Sequence, residues 1–216
     1  MHPQSRRRFL TALLGLTATL PAASRTPSDS TPRQSAGPFY PRRKPDDDDA
    51  NLVRVDGRTQ PAEGDHTRLS GRVLDTNGRP LPNLTVEIWQ CDHRGRYRHP
   101  RDPSTGERDP GFQGFGHAVT DADGRYRFAT IRPVPYPGRT PHIHLAVRLP
   151  GDRPFVTQLY IRGEPRNEYD FLFRRVPQSR RHLVEMDFRS VEGEVPFAVE
   201  RDLILDTQNG TPSEPT

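Results

Sequence analysis

The sequence predicts an all-β protein, an antiparallel β-sandwich with long loops and an N-terminal arm. Three observations predict it. Segments between residues 69 and 188 alternate apolar with polar residues or are rich in β-branched ones, and turn signals such as TNGRPLPN and DADG separate them. No segment of comparable length shows the 3.6-residue apolar stripe of an amphipathic helix. Proline is frequent, 24 of 216 residues, and the apolar fraction is 31%, a balance that suits one compact core carrying extended loops.

The chain divides in order. Residues 1–24 contain SRRRFLTALLGLTATLPAAS, an arginine cluster, a short apolar run and small residues after it. This reads as a twin-arginine export signal, which places the mature protein in the periplasm or outside the cell, carried across already folded. Removing it takes away Arg6, Arg7 and Arg8 and no acidic residue, so the formal charge falls from +4 to +1. The mature chain then has no bulk charge with which to bind nucleic acid. The apolar run is too short for a membrane span. Cys91 is the only cysteine, so an intrachain disulfide is excluded.

Residues 25–66 are polar and rich in Pro, Asp and Arg, an arm over the core whose aromatics sit in GPFYP; its acidic run Asp46–Asp49 reads as a solvated turn. Residues 67–207 form the sandwich domain, with strands expected at LSGRVLD (69–75), LTVEIWQ (84–90), GRYRFATI (124–131), HIHLAVRL (142–149), FVTQLYI (155–161) and HLVEMDF (182–188). The segment VEGEVPFAVERDLILD (191–206) adds one more strand or a hairpin, and 208–216 is a flexible tail.

The chemistry concentrates in YPGRTPHIH, residues 136–144. Strand alternation puts Ile143, Leu145, Val147 and Leu149 on one face, a core face, and His142 and His144 on the other. Two imidazoles side by side suggest a metal, but the spacing leaves several sites open. No carboxylate stands where a cupin or a two-histidine, one-carboxylate iron site would need it, whereas a three-histidine zinc site could recruit His117. Tyr97 and Tyr136 lie in loops at the sandwich edge. Phenolate is a hard anionic donor, and two phenolates with two neutral imidazoles suit ferric iron.

TPRQSAGPFYP, GRVLDTNGRPLPNLTVEIWQCDHRGRYRHP, TDADGRYRFATIRPVPYPGRTPHIHLAV and TQLYI, taken together in order, resemble the intradiol ring-cleavage dioxygenases, with most similarity to the protocatechuate 3,4-dioxygenase branch. The resemblance implies a non-haem ferric dioxygenase that uses O2 to cleave an ortho-diphenol between its hydroxylated carbons, giving a muconate-type diacid. It implies Fe(3+) held by Tyr97, Tyr136, His142 and His144. It also implies that Tyr136 takes a substrate proton, that Arg139 stabilises charge on the ring, and that Gln158, Trp89 and Tyr40 join Arg139 around the substrate. In typical members a longer, tryptophan-bearing insert separates the second tyrosine from the arginine, whereas here only Pro137 and Gly138 intervene, so the pocket rim is shorter. The same strand and turn pattern also fits transthyretin-like or carboxypeptidase-regulatory-like binding modules without catalysis, which would need neither histidine. The sequence leaves assembly into a homo-oligomer open.

Overall fold

A computed structural model describes residues 29–193 and 195–207; the export segment and the tail read from the sequence lie outside the described residues. Among the described residues, ten strands form two five-stranded sheets. In the first, β1 (His66–Asp75) pairs antiparallel with β4 (Arg125–Ile131) and, on its other side, parallel with β9 (Phe197–Glu200) and β10 (Leu203–Leu205); β8 (Arg189–Ser190) borders β9. The second runs β3 (Phe115–Val119), β2 (Thr85–Trp89), β5 (His142–Arg148), β6 (Phe155–Ile161), β7 (Glu185–Met186). No helix among the described residues is long and apolar enough to cross a membrane.

The fold is all-β as the alternation predicts, but the sheets are mixed rather than wholly antiparallel. A parallel pair needs a crossover of a dozen or more residues, and the chain supplies one between Ile161 and Glu185. That crossover holds a 3-10 turn (Pro165–Tyr169), the short helix α1 (Phe171–Arg175) and a second 3-10 turn (Gln178–Leu183). It absorbs His182 and Leu183, so the strand expected over 182–188 shrinks to Glu185–Met186. The edge strand β3 was not legible, because FGHAV is short and carries Gly and His where a strand would show branched residues. β1 begins at His66, inside the segment assigned to the arm.

The C-terminal segment enters through a short antiparallel hairpin with β8 and then makes one interrupted strand: Thr67 faces Phe197 and Val73 faces Leu203, a single register on both sides of the break. At the break the Arg201 carbonyl accepts from Tyr126 Oη at 2.6 Å, and Asp202 accepts from the Arg72 amide and guanidinium, each at 2.8 Å. A Cβ at Gly71 would fall 1.8 Å from the Arg201 carbonyl oxygen, so only glycine lets the two backbones approach. Gly71→Ala is expected to lower unfolding stability by about 1–3 kcal/mol, as overpacking does, measured by urea denaturation. An unchanged midpoint would show that the segment does not hold this register in solution.

The core lies between the sheets. Leu69 and Val73 of β1, Phe128 of β4, Ile88 of β2, Ile143, Leu145 and Val147 of β5 and Leu159 of β6 are all buried there. Each such side chain contributes roughly 1.5–3 kcal/mol by leaving water. The arm does more than lie over this core, since Leu52, Val53 and Ala62 plug into it. Its earlier part is pinned to both sheets: the Thr31 amide donates to Ile204 O and the Gln34 amide to Val156 O, both at 2.8 Å. The outer face of the second sheet is therefore roofed by the arm and by the β2–β3 and β4–β5 connections. A second buried cluster, with Trp89, Cys91, Tyr97 and Phe115, forms under that roof.

Candidate metal centre

The outer face is a ladder of cross-strand partners. Phe115 faces Trp89, Trp89 faces His144, His144 faces Gln158, and His142 faces Tyr160. His142 and His144 thus share the side opposite the core, as alternation requires. Their rings meet edge to face, and the two Nε2 atoms lie 3.2 Å apart. His142 Nδ1 sits 2.7 Å from the Thr140 carbonyl, which only accepts, so Nδ1 carries the proton and the Nε2 lone pair faces inward. Trp89 stacks flat on His144, with ring centroids 4.9 Å apart and an interplanar angle of 3°.

The loops bring the tyrosines to these nitrogens. In the β2–β3 connection the buried Asp92 carboxylate accepts the amides of Arg94, Arg96 and Asp109, and Asp102 accepts the Tyr97 amide; these bonds shape the turn that points Tyr97 inward. Tyr97 is buried and its hydroxyl has no hydrogen-bond partner among the described residues. In the β4–β5 connection, Tyr136-Pro137-Gly138-Arg139 is a tight turn closed by the Arg139 amide on the Tyr136 carbonyl at 2.9 Å. Gly138 has φ +81°, the value a type II turn needs after proline. The short connection therefore sets Tyr136 and Arg139 side by side. The Tyr136 ring is 5.4 Å from Tyr97 and 5.5 Å from His142, centroid to centroid.

Arg139 addresses three directions. Its Nε donates to Asp170 at 2.8 Å, its Nη2 to Gln158 Oε1 at 2.6 Å, and its Nη1 lies 3.4 Å from both Tyr136 Oη and His142 Nε2. Gln158 is fixed in turn by donating to the Ser35 carbonyl of the arm at 2.9 Å. Asp170 carries no sequence signal beyond its place before FLF, an N-cap position; the structure alone brings it to Arg139. Phe171 beside it holds its ring 5.4 Å from the Arg139 guanidinium and is 54% exposed.

Two residues stand elsewhere than the motifs suggest. Tyr40 turns its hydroxyl to Glu87 at 3.0 Å and receives a hydrogen bond from Arg148, with its ring edge on Trp89. Its neighbour Phe39 instead stacks on Tyr97 at 4.6 Å and reaches Tyr136 at 6.0 Å. Of the GPFYP aromatics it is therefore Phe39, one step along the chain, that lies nearest the tyrosine pair. His117 binds the Asp48 carbonyl at 2.7 Å, two rungs along β3 from the Phe115 rung. Among the described residues no three or more His, Cys, Asp or Glu gather to hold an ion, so the three-histidine alternative has no site.

A protein-family model described as Dioxygenase (Dioxygenase_C) matches residues 35–207. The chain belongs to the intradiol ring-cleavage dioxygenase family. It is 39% identical over 163 residues, 70% of this chain and 68% of the other, to the protocatechuate 3,4-dioxygenase beta chain of Burkholderia cepacia. It is 33% identical over 163 residues to the catechol 1,2-dioxygenase of Acinetobacter baylyi, matching 67% of this chain and 50% of that one. It is also 33% identical over 159 residues to a hydroxyquinol 1,2-dioxygenase of Corynebacterium glutamicum, 65% of this chain and 49% of that one. The chain thus spans about half the length of these last two relatives. Among solved structures, the dioxygenase domain of a carbohydrate-binding fusion protein from Streptomyces sp. SirexAA-E superposes with TM-score 0.62 at 32% identity, covering 82% of this chain and 99% of that one. An intradiol ring-cleavage dioxygenase from Tetranychus urticae shares the fold, with TM-score 0.68 at 21% identity, 85% of this chain and 97% of that one. A non-catalytic sandwich module is set aside by this membership.

Within an intradiol family member, the electrostatics of this site fit a highly charged cation. Burial, aided by the Arg139 charge, pushes the His142 imidazole down to about 3. Burial and the neighbouring His142 hold His144 well below its ordinary value. Both rings are therefore neutral, with lone pairs to give, throughout the working pH range. Burial raises the Tyr97 hydroxyl well above 10, and burial also raises Tyr136, although Arg139 pulls the latter back. Two inward-facing nitrogens at 3.2 Å and a buried phenol without a partner are what a bound ion would satisfy. The residues present fit ferric iron.

Proposed function

We propose that the protein cleaves an ortho-diphenol of the catechol or protocatechuate type between its hydroxylated carbons with O2, using Fe(3+) held by Tyr97, Tyr136, His142 and His144. The observation that carries this reading is that two imidazole nitrogens 3.2 Å apart, Tyr136 with Arg139 beside it, and the buried phenol of Tyr97, whose ring lies 6.1 Å from His144 and 5.4 Å from Tyr136, gather under one roof. Bound there, ferric iron would supply the Lewis acidity that favours phenolate donors and makes an ortho-diphenol reactive toward oxygen.

The chain's own groups do the rest. Tyr136 is the less buried tyrosine and hangs from a two-residue turn, so it is the one able to swing aside, its oxygen accepting a proton from the incoming diphenol. The Arg139 guanidinium, held charged by Asp170 against the effect of burial, faces Tyr136 and His142 and stabilises negative charge on the substrate ring. Gln158 fixes Arg139 from below, and Trp89 supports the His144 ring from behind. Phe39 excludes water from the Tyr97 side. The reaction takes place after export, a reading supported by the arginine cluster and apolar run of residues 5–24.

Colour tests the reading. Phenolate-to-ferric charge transfer makes the iron-loaded protein reddish brown, and oxygen uptake should follow with catechol, protocatechuate, hydroxyquinol or a gallate-type compound. A protein that stays colourless after ferric loading would sink the proposal.

A further inference from the structure

We infer that Asp170 is a positioning residue for the ring cleavage: it aims the Arg139 guanidinium at the Tyr136 hydroxyl and the His142 Nε2 and ties that aim to the crossover helix α1. The inference rests on the function proposed above and names a residue that the ligand and substrate motifs do not contain.

The geometry is specific. Asp170 is buried, with a side-chain exposure of 0%, and Arg139 exposes only 8% of its side chain. Asp170 Oδ2 accepts from Arg139 Nε at 2.8 Å and from the Thr140 amide at 3.0 Å. Oδ1 accepts from the amides of Leu172 at 3.0 Å and Phe173 at 2.9 Å, capping α1. One carboxylate thus joins the residue after Arg139, the Arg139 side chain and the first turn of the helix. With Nε fixed by Asp170 and Nη2 by Gln158, the planar guanidinium has no rotation left, and Nη1 must face Tyr136 Oη and His142 Nε2. The Thr140 hydroxyl donates to Asn167 Oδ1 at 2.8 Å and Asn167 Nδ2 donates to Ile161 O at 2.8 Å, so the crossover is braced on the same side by a second set of bonds. Phe171, which follows the cap, lies over the guanidinium, so the helix that Asp170 starts also covers the arginine it orients.

Capping and aiming separate by mutation. Asp170→Ser keeps a good N-cap but lacks the reach and charge to hold Arg139, and Asp170→Asn keeps the shape without the charge. Each is made alone and in an Arg139→Gln background, in the full iron-loaded protein. Steady-state oxygen uptake is measured with whichever of catechol, protocatechuate and hydroxyquinol the wild type cleaves fastest. The expected result is a drop in kcat of about 10- to 100-fold for both variants, with KM changed less than about threefold and iron content unchanged. In the Arg139→Gln background the same changes should cost less than about twofold, because the group they orient is gone. A second readout needs no turnover: in metal-free protein the Arg139 Nε–H resonance should be sharp and slow to exchange in wild type, and broadened in both variants. A variant that keeps wild-type kcat, or a full 10- to 100-fold loss that persists without Arg139, or an unchanged Nε–H resonance, overturns the inference. If the wild type cleaves none of the diphenols, the functional reading fails, while the resonance still decides whether Asp170 aims Arg139.

Discussion

Tyr97→Phe yields a folded, iron-poor protein whose metal-free form is more stable than the wild type. The hydroxyl it removes is buried and has no hydrogen-bond partner among the described residues. A buried polar group without a partner costs about 1–3 kcal/mol, so deleting one oxygen while keeping the ring that stacks on Phe39 should raise metal-free stability by about 1 kcal/mol. The same deletion takes away an anionic donor. Activity should fall by more than about 100-fold, since even outer partners of metal sites cost about 10- to 100-fold when lost, and charge-transfer colour should weaken. Proton release gives an independent check. Burial holds the Tyr97 phenol well above 10, so it is protonated in the metal-free protein, and ferric loading must expel that proton. Loading should therefore weaken as pH falls, and the variant should release one proton fewer per iron in a pH-stat. Equal colour and equal iron retention in the variant would remove Tyr97 from the ligand set, and a lower metal-free stability would show that the hydroxyl has a structural partner.

Arg139→Lys keeps iron and loses turnover. Lysine carries the same charge, but as a point donor on a flexible stem it cannot satisfy Asp170, Gln158 and the cleft together, as the fork of Arg139 does. A preorganised donor facing developing negative charge contributes on the order of 2–4 kcal/mol, which corresponds to a fall in kcat of roughly 30- to 1000-fold. Iron content and colour should be near wild type, because Arg139 is not among the four proposed donors. Oxygen uptake set against iron content decides the matter, and wild-type kcat in the variant would remove Arg139 from the mechanism. Some loss of stability accompanies the change, since Asp170 is fully buried and one of its charge-assisted bonds weakens.

Much of this site can be read from local pattern. HIHLAVR separates core from outer face by alternation alone, and the structure places Ile143, Leu145 and Val147 in the core and the histidines outside it. The turn YPGR is legible too, because proline followed by glycine fixes its backbone. Less legible is anything that depends on which distant segment arrives alongside. The parallel strands β7, β9 and β10 carry no mark of their direction, and the crossover that creates β7 reads as irregular chain. Glu87 gives no hint in LTVEIWQ that it is buried, yet the hydrogen bonds of Lys44, Arg148 and Tyr40 outweigh the effect of burial and hold its carboxyl below the usual range. That cluster draws Tyr40 away from the tyrosine pair and leaves Phe39 to cover it.

Short windows of sequence are enough for the all-β class and for the face on which the histidines lie, since both follow from side-chain alternation, whereas the four candidate donors come from the family resemblance of the motifs taken together. Only the folded chain shows that the sheets are mixed, that Phe39 rather than Tyr40 stacks on Tyr97, and that Asp170 bonds the Arg139 guanidinium. Those outcomes depend on contacts between residues some 30 to 130 positions apart, such as Arg139 with Asp170 and Thr67 with Phe197. Propensity acts over a few residues, whereas such pairings are selected by burial and hydrogen-bond satisfaction over the whole folded chain.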